Sequence, residues 1–112
     1  MWTLLYMVLL AVLSLTQASS ESHINFILGT TRTISCKSSY PPPWTKIGRS
    51  KDDVRIIGVN GEKHSRWTEP RYIFSKNGSE YAIQISEIRL GDAGKLICGS
   101  DTPVTFVVTV LR

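Results

Sequence analysis

Beyond residue 20 the chain breaks into short apolar stretches, separated by turn residues every eight to twelve positions or so, and no stretch keeps a helical period. This punctuation predicts an all-β chain. Thr31 to Lys37 alternates, with Ile34 and Cys36 facing one way and Thr33, Ser35 and Lys37 the other. Tyr40 to Pro43 forces a loop, because three successive prolines cannot donate ladder hydrogen bonds. Trp44 to Ile47 is the next expected strand, with Trp44 turned inward. Val54 to Val59 leads into Asn60-Gly61, and Arg71 to Ser75 leads into Asn77-Gly78 ahead of Tyr81 to Ile85. Asn and Gly tolerate positive φ, so both steps predict tight hairpins. Ile83 and Ile85 share a face, with Ile88 capping the layer below. Lys95 to Gly99 carries Leu96 and Cys98 inward, and Val104 to Leu111 does the same for Phe106, Val108 and Val110.

Residues 1–20 hold no charged side chain, contain an apolar run from Leu4 to Leu15 and end in Ala18, Ser19 and Ser20. The pattern predicts a signal peptide cleaved after Ala18 or Ser20, although no Lys or Arg precedes the run. The run is shorter than the roughly 18 to 20 residues a membrane span requires. Residues 21–112 then form a single domain, and no second apolar run or lipid-anchor signal follows. The expected location is secreted or extracellular, or the cell surface if the chain is a fragment of an anchored protein. In that oxidising setting Cys36 and Cys98, the only cysteines, are expected to pair. Closing so long a loop contributes roughly 4 kcal/mol by chain entropy.

Charge changes the picture in one place. The net charge is +4, and the stretch from Lys46 to Lys76 carries eight basic residues against four acidic ones. Such a stretch attracts an acidic protein, or makes a weak glycosaminoglycan contact, or is an ordinary solvated surface. Catalysis finds no support: both cysteines are consumed, and His23 and His64 lie in separate polar segments without ligand-spaced partners. No nucleophile motif is present, so neither an enzyme nor a cofactor is expected. The basic stretch lacks a recognisable nucleic-acid reading module.

The text "YAIQISEIRLGDAGKLIC" from Tyr81 to Cys98, with "TISC" around Cys36, "PPPWTKIG" around Trp44 and "RYIF" from Arg71, resembles the variable set of the immunoglobulin superfamily. The likeness covers essentially the whole mature chain. It implies an immunoglobulin-like two-sheet sandwich of the variable type, with an inter-sheet Cys36–Cys98 disulfide and Trp44 packed on it. It further implies a structural ion pair between Arg71 and Asp92. Within the superfamily "WTK", "RYIFSKNGSEYAIQISEI" and "DAG" are most similar to the membrane-distal domain of Lachesin and of the IgLON neuronal adhesion proteins. That implies cell adhesion or neuronal cell recognition. Those proteins typically carry three immunoglobulin domains and an anchor, so a chain stopping at Arg112 is either a one-domain form or a fragment. A soluble immune-type recognition molecule and a structural module of a longer extracellular protein are the alternatives.

Two positions depart from the family pattern. Leu96 stands where a tyrosine is usual, so the tyrosine-corner hydrogen bond is not expected. The loop from Gly99 to Pro103 is short, and the glycine-rich closing-strand motif of antigen receptors is missing. Both features of that end argue against a clonally diversified loop and against heavy/light-style pairing.

Three further positions bear on binding. Asn77-Gly78-Ser79 is an N-glycosylation sequon on an expected turn, or an unmodified turn. Trp67, in a polar stretch, is either a contact anchor or packs over a sheet edge. Ile47, Ile97 and Val107 are expected to point away from the core on neighbouring strands, which makes them the candidate partner-binding face. The expected partner is another protein, either a second copy or another immunoglobulin-domain surface protein.

Overall fold

The computed structural model of the chain describes residues 20–99 and 102–112. The expected signal peptide lies outside the described residues except for Ser20, which opens the first strand opposite Val104. Among the described residues nine strands follow in order: β1 Ser20–Ile27, β2 Arg32–Lys37, β3 Trp44–Ile47, β4 Val54–Val59, β5 Glu62–Lys63, β6 Tyr72–Asn77, β7 Glu80–Ile85, β8 Gly94–Cys98 and β9 Val104–Leu111. They form a six-stranded sheet ordered β1-β9-β8-β3-β4-β5 and a three-stranded sheet ordered β2-β7-β6. All neighbours are antiparallel except β1, which runs parallel to β9.

The inward residues follow from period-2 alternation. Ile34, Ile83, Ile85 and Tyr72 from the smaller sheet meet Phe26, Trp44, Ile57, Leu96, Phe106 and Val108 from the larger one. Burying each large aliphatic or aromatic side chain contributes about 1.5–3 kcal/mol. Cys36 on β2 and Cys98 on β8 are bonded, joining the two sheets, and both lie in the same buried cluster as Trp44. Trp44 in turn stacks on Phe106 at 6.5 Å between ring centroids.

Strand β1 is not among the strands the hydrophobic pattern predicts. Its alternation is diluted by Ser, Glu, His and Asn, and only Ile24 and Phe26 turn inward, Phe26 being fully buried.

The hairpins differ in detail from expectation. Asn60 (φ 56°) and Gly61 (φ 76°) both occupy the left-handed region between β4 and β5, as a two-residue type I′ turn requires. At the second hairpin Asn77 remains in the ladder opposite Glu80, so the turn residues are Gly78 (φ 64°) and Ser79 rather than Asn77-Gly78. A glycine at the first central position is the type II′ preference, and it frees Asn77 to extend the strand.

Gly94 explains part of the "DAG" text. At φ 135° it starts β8 directly under the end of β3, where an added Cβ would meet the Ile47 carbonyl carbon at 3.2 Å and its oxygen closer still. Only glycine lets the two backbones approach so closely.

Candidate protein-binding face

The register fixes which residues share the outer surface of the six-stranded sheet. Trp44 pairs with Cys98 and Leu96 with Phe106, and all four face inward. The intervening positions must therefore face out. One outward row crosses the strands as Val54, Ile47, Lys95, Val107 and His23; the next runs Ile56, Thr45, Ile97, Thr105 and Glu21. Ile47, Ile97 and Val107 thus lie on one face of adjacent strands, each half-buried by its neighbours.

Val54 and Ile56 belong to the same surface and are more open, at 54% and 58% exposure. The expected strand Val54 to Val59 coincides with β4, but its pattern does not mark these two residues as outward. The run Ile56-Ile57 hides the alternation, and an irregularity in register between Trp44 and Thr45 sends Ile56 outward and Ile57 into the core. The i, i+2 pair Val54 and Ile56, in phase with Ile47 across the hairpin, was the signal available.

The contrast with the opposite face is chemical. The outer surface of the three-stranded sheet carries Thr33, Ser35, Lys37, Ser75, Asn77, Glu80, Ala82 and Gln84, with Ile73 its one large exposed aliphatic. Single exposed aliphatics are normal on a protein surface. A contiguous group of five on one sheet, with Lys95 the charged residue among them, is the kind of surface that associates.

Below the face, Arg71 and Asp92 meet between the sheets. Arg71 donates from Nη1 to Asp92 Oδ2 at 2.8 Å and from Nη2 to Oδ1 at 3.0 Å, with side-chain exposures of 10% and 3%. Asp92 also accepts the Tyr72 hydroxyl at 2.7 Å and the Arg89 N–H at 2.8 Å. It is placed by a single 3₁₀ turn, Leu90–Asp92, that precedes β8. Burial alone would push its carboxyl up, but the Arg71 guanidinium, the Arg89 N–H and the Tyr72 hydroxyl together hold it below the usual value. Arg71 further donates from Nε to Glu69 at 3.0 Å, which draws the Glu69 carboxyl down as well.

The remaining sequence-chosen residues fall into place individually. Trp67 packs against the core in a T-shaped contact with Tyr72, centroids 5.2 Å apart, so it covers the sheet edge and does not project as an anchor. Asn77 is exposed at the far end of β6, on the smaller sheet. His23 lies near Glu21 on β1, 3.8 Å away, and His64 accepts the Arg66 N–H through Nδ1 at 3.0 Å; the two are not brought together at a common site. No helix among the described residues is long and apolar enough to cross a membrane.

No protein-family model matches the chain, and no curated protein matches it significantly.

Proposed function

We propose that the chain is a variable-type immunoglobulin domain that binds another protein outside the cell, in adhesion or neuronal cell recognition, with no enzymatic activity. The strand order, the two-sheet disulfide and Trp44, opposite Cys98 in the ladder and in the same buried cluster, support the immunoglobulin reading, together with the motifs around Cys36 and Cys98. The single observation that carries the binding role is the aliphatic surface of Val54, Ile56, Ile47, Ile97 and Val107 on one sheet, set against a polar surface on the other. Docking is face to face. A partner with a matching aliphatic sheet, whether a second copy or another immunoglobulin domain, removes these side chains from water.

The test is Ile56→Lys, which places a charge at an exposed position without touching the core. An anchor in such a face is worth about 2 kcal/mol or more, roughly a thirtyfold change in affinity. Self-association by analytical ultracentrifugation and partner capture in a cell-aggregation assay should both be lost, with unfolding temperature preserved. Normal association by a folded Ile56→Lys protein would sink the proposal.

A further inference from the structure

At the end of the sandwich where β3 stops and β8 starts, a cavity of about 330 Å³ opens between the sheets and the turns that join them. Its walls include the acids Asp53, Glu69 and Asp92 and the cations Lys46, Arg55 and Arg89. The acids are already occupied. Asp53 is held by Arg55 at 3.1 Å, Glu69 by Arg71 at 3.0 Å and Asp92 by Arg71 at 2.8 Å. Two cations of the cavity wall, Lys46 and Arg89, and two just outside it, Arg49 and Lys63, have no carboxylate partner among the described residues. Lys46 Nζ and Arg49 Nη2 each approach a backbone carbonyl of the Leu90–Gly91 turn at 3.5 Å, beside Arg89, and Lys63 Nζ reaches the Glu69 carbonyl at 3.1 Å. Asp52 and Glu87 stand exposed on the flanking turns.

We propose that this end of the domain is a binding site for a sulfated polysaccharide, whose sulfates are received by Lys46, Arg49, Lys63 and Arg89. The site is separate from the sheet face: Lys46 lies opposite Leu96 on the inner side of β3. Four cations drawn from β3, β5 and two turns, two lining a concave opening and two beside it, suit a linear chain carrying repeated negative charge. A flat bilayer would not reach into the concavity. Base stacking has no platform here, because Trp67 is engaged by Tyr72. Burial pulls the Lys46 ammonium below its ordinary value, and a sulfate alongside it would restore the favourable surroundings that water no longer supplies.

The experiment measures binding of a heparin octasaccharide to the secreted protein across a range of NaCl concentrations. Arg49→Ser/Arg89→Ser should weaken binding about tenfold or more at 0.15 M salt, and should reduce the slope of log affinity against log salt by about two, one for each cation lost. Lys37→Ser/Lys76→Ser removes the same charge at the other end of the domain and should stay within about twofold of the parent. If Arg49→Ser/Arg89→Ser disturbs folding by circular dichroism, Lys63→Ser alone, whose contact is to the Glu69 carbonyl and not to the 3₁₀ turn, should still reduce the slope by about one while the parent fold is kept. Equal losses in the two pairs would mean that net charge alone is being read, and would overturn the site. So would undiminished binding of desulfated octasaccharide, or tighter binding to anionic phospholipid vesicles than to the octasaccharide.

Discussion

Tyr72 donates its hydroxyl to Asp92 at 2.7 Å, tying the first residue of β6 in the three-stranded sheet to the turn that launches β8 in the six-stranded one. Leu96 carries no hydroxyl to make a corner bond two residues before the second cysteine, and here Tyr72 anchors the turn before it. Arg71, the neighbouring residue, reaches the same carboxylate and also donates to the carbonyls of Ser86 and Glu87 at 3.2 and 3.1 Å. Asp92 is buried, and the bonds from Arg71, Tyr72 and the Arg89 N–H converge on it.

Asp92→Ala should therefore be far more damaging than loss of a surface acid. Removing one member of a buried, hydrogen-bonded pair costs about 3–5 kcal/mol, here at the low end, since Arg71 loses Asp92 but keeps Glu69 and two carbonyls. Tyr72→Phe removes one bond to a charged acceptor that keeps three others, and should cost about 1.5–3 kcal/mol. Thermal unfolding should rank the variants Asp92→Ala, then Tyr72→Phe, then the exposed control Asp52→Ala, which should lie within about 0.5 kcal/mol of the parent. Equal shifts for Asp92→Ala and Asp52→Ala would contradict this account.

The same carboxylates set an acid limit. Asp92 and Glu69 both have folded-state values below their unfolded ones, so the folded protein favours their charged forms. Their contribution is complete above the unfolded value of about 4 and is lost as pH falls through the depressed folded values. Denaturant titrations should show stability flat between about pH 5 and 7 and declining below about pH 4. Asp92→Asn should be less stable at neutral pH and show a shallower acid decline; an unchanged slope would remove Asp92 from the explanation.

The core and the ion pair were legible in the sequence for different reasons. Alternation around Ile34, Cys36, Leu96, Cys98 and Phe106 is uninterrupted, so their inward phase could be read directly. Arg71 and Asp92, twenty-one residues apart, could not be paired from local pattern, and the expectation came from resemblance to the variable set. What escaped was non-local or irregular. Pairing of β1 alongside β9 leaves little local signal in Ser20–Ile27, and the register irregularity beside Trp44 decides which of Ile56 and Ile57 is buried. For that reason the most exposed part of the aliphatic face, Val54 and Ile56, was found only in three dimensions.

The bond between Cys36 and Cys98 should leave no thiol to alkylate in the denatured, unreduced chain, as mass spectrometry can establish. Cys36→Ser/Cys98→Ser should lose about 4 kcal/mol, because the unfolded chain regains the freedom of a long loop. Recovery of two alkylated cysteines from the purified protein without reduction would rule the bridge out.

Asn77 offers a test that connects the sequon to the two surfaces. It is exposed on the smaller sheet, at the end of the sandwich opposite the Leu90–Asp92 turn, and its ladder pairing with Glu80 leaves Gly78 and Ser79 to make the turn. A glycan there is solvated and covers neither the outward row of Val54, Ile47 and Val107 nor the cations around Lys46. Produced in a eukaryotic secretory pathway, the protein should carry an amidase-sensitive glycan on Asn77, and its enzymatic release should change association by less than about twofold. An unmodified Asn77 peptide would show that the sequon is only a turn. A large gain in association on deglycosylation would instead place the binding surface on the three-stranded sheet, around Ile73.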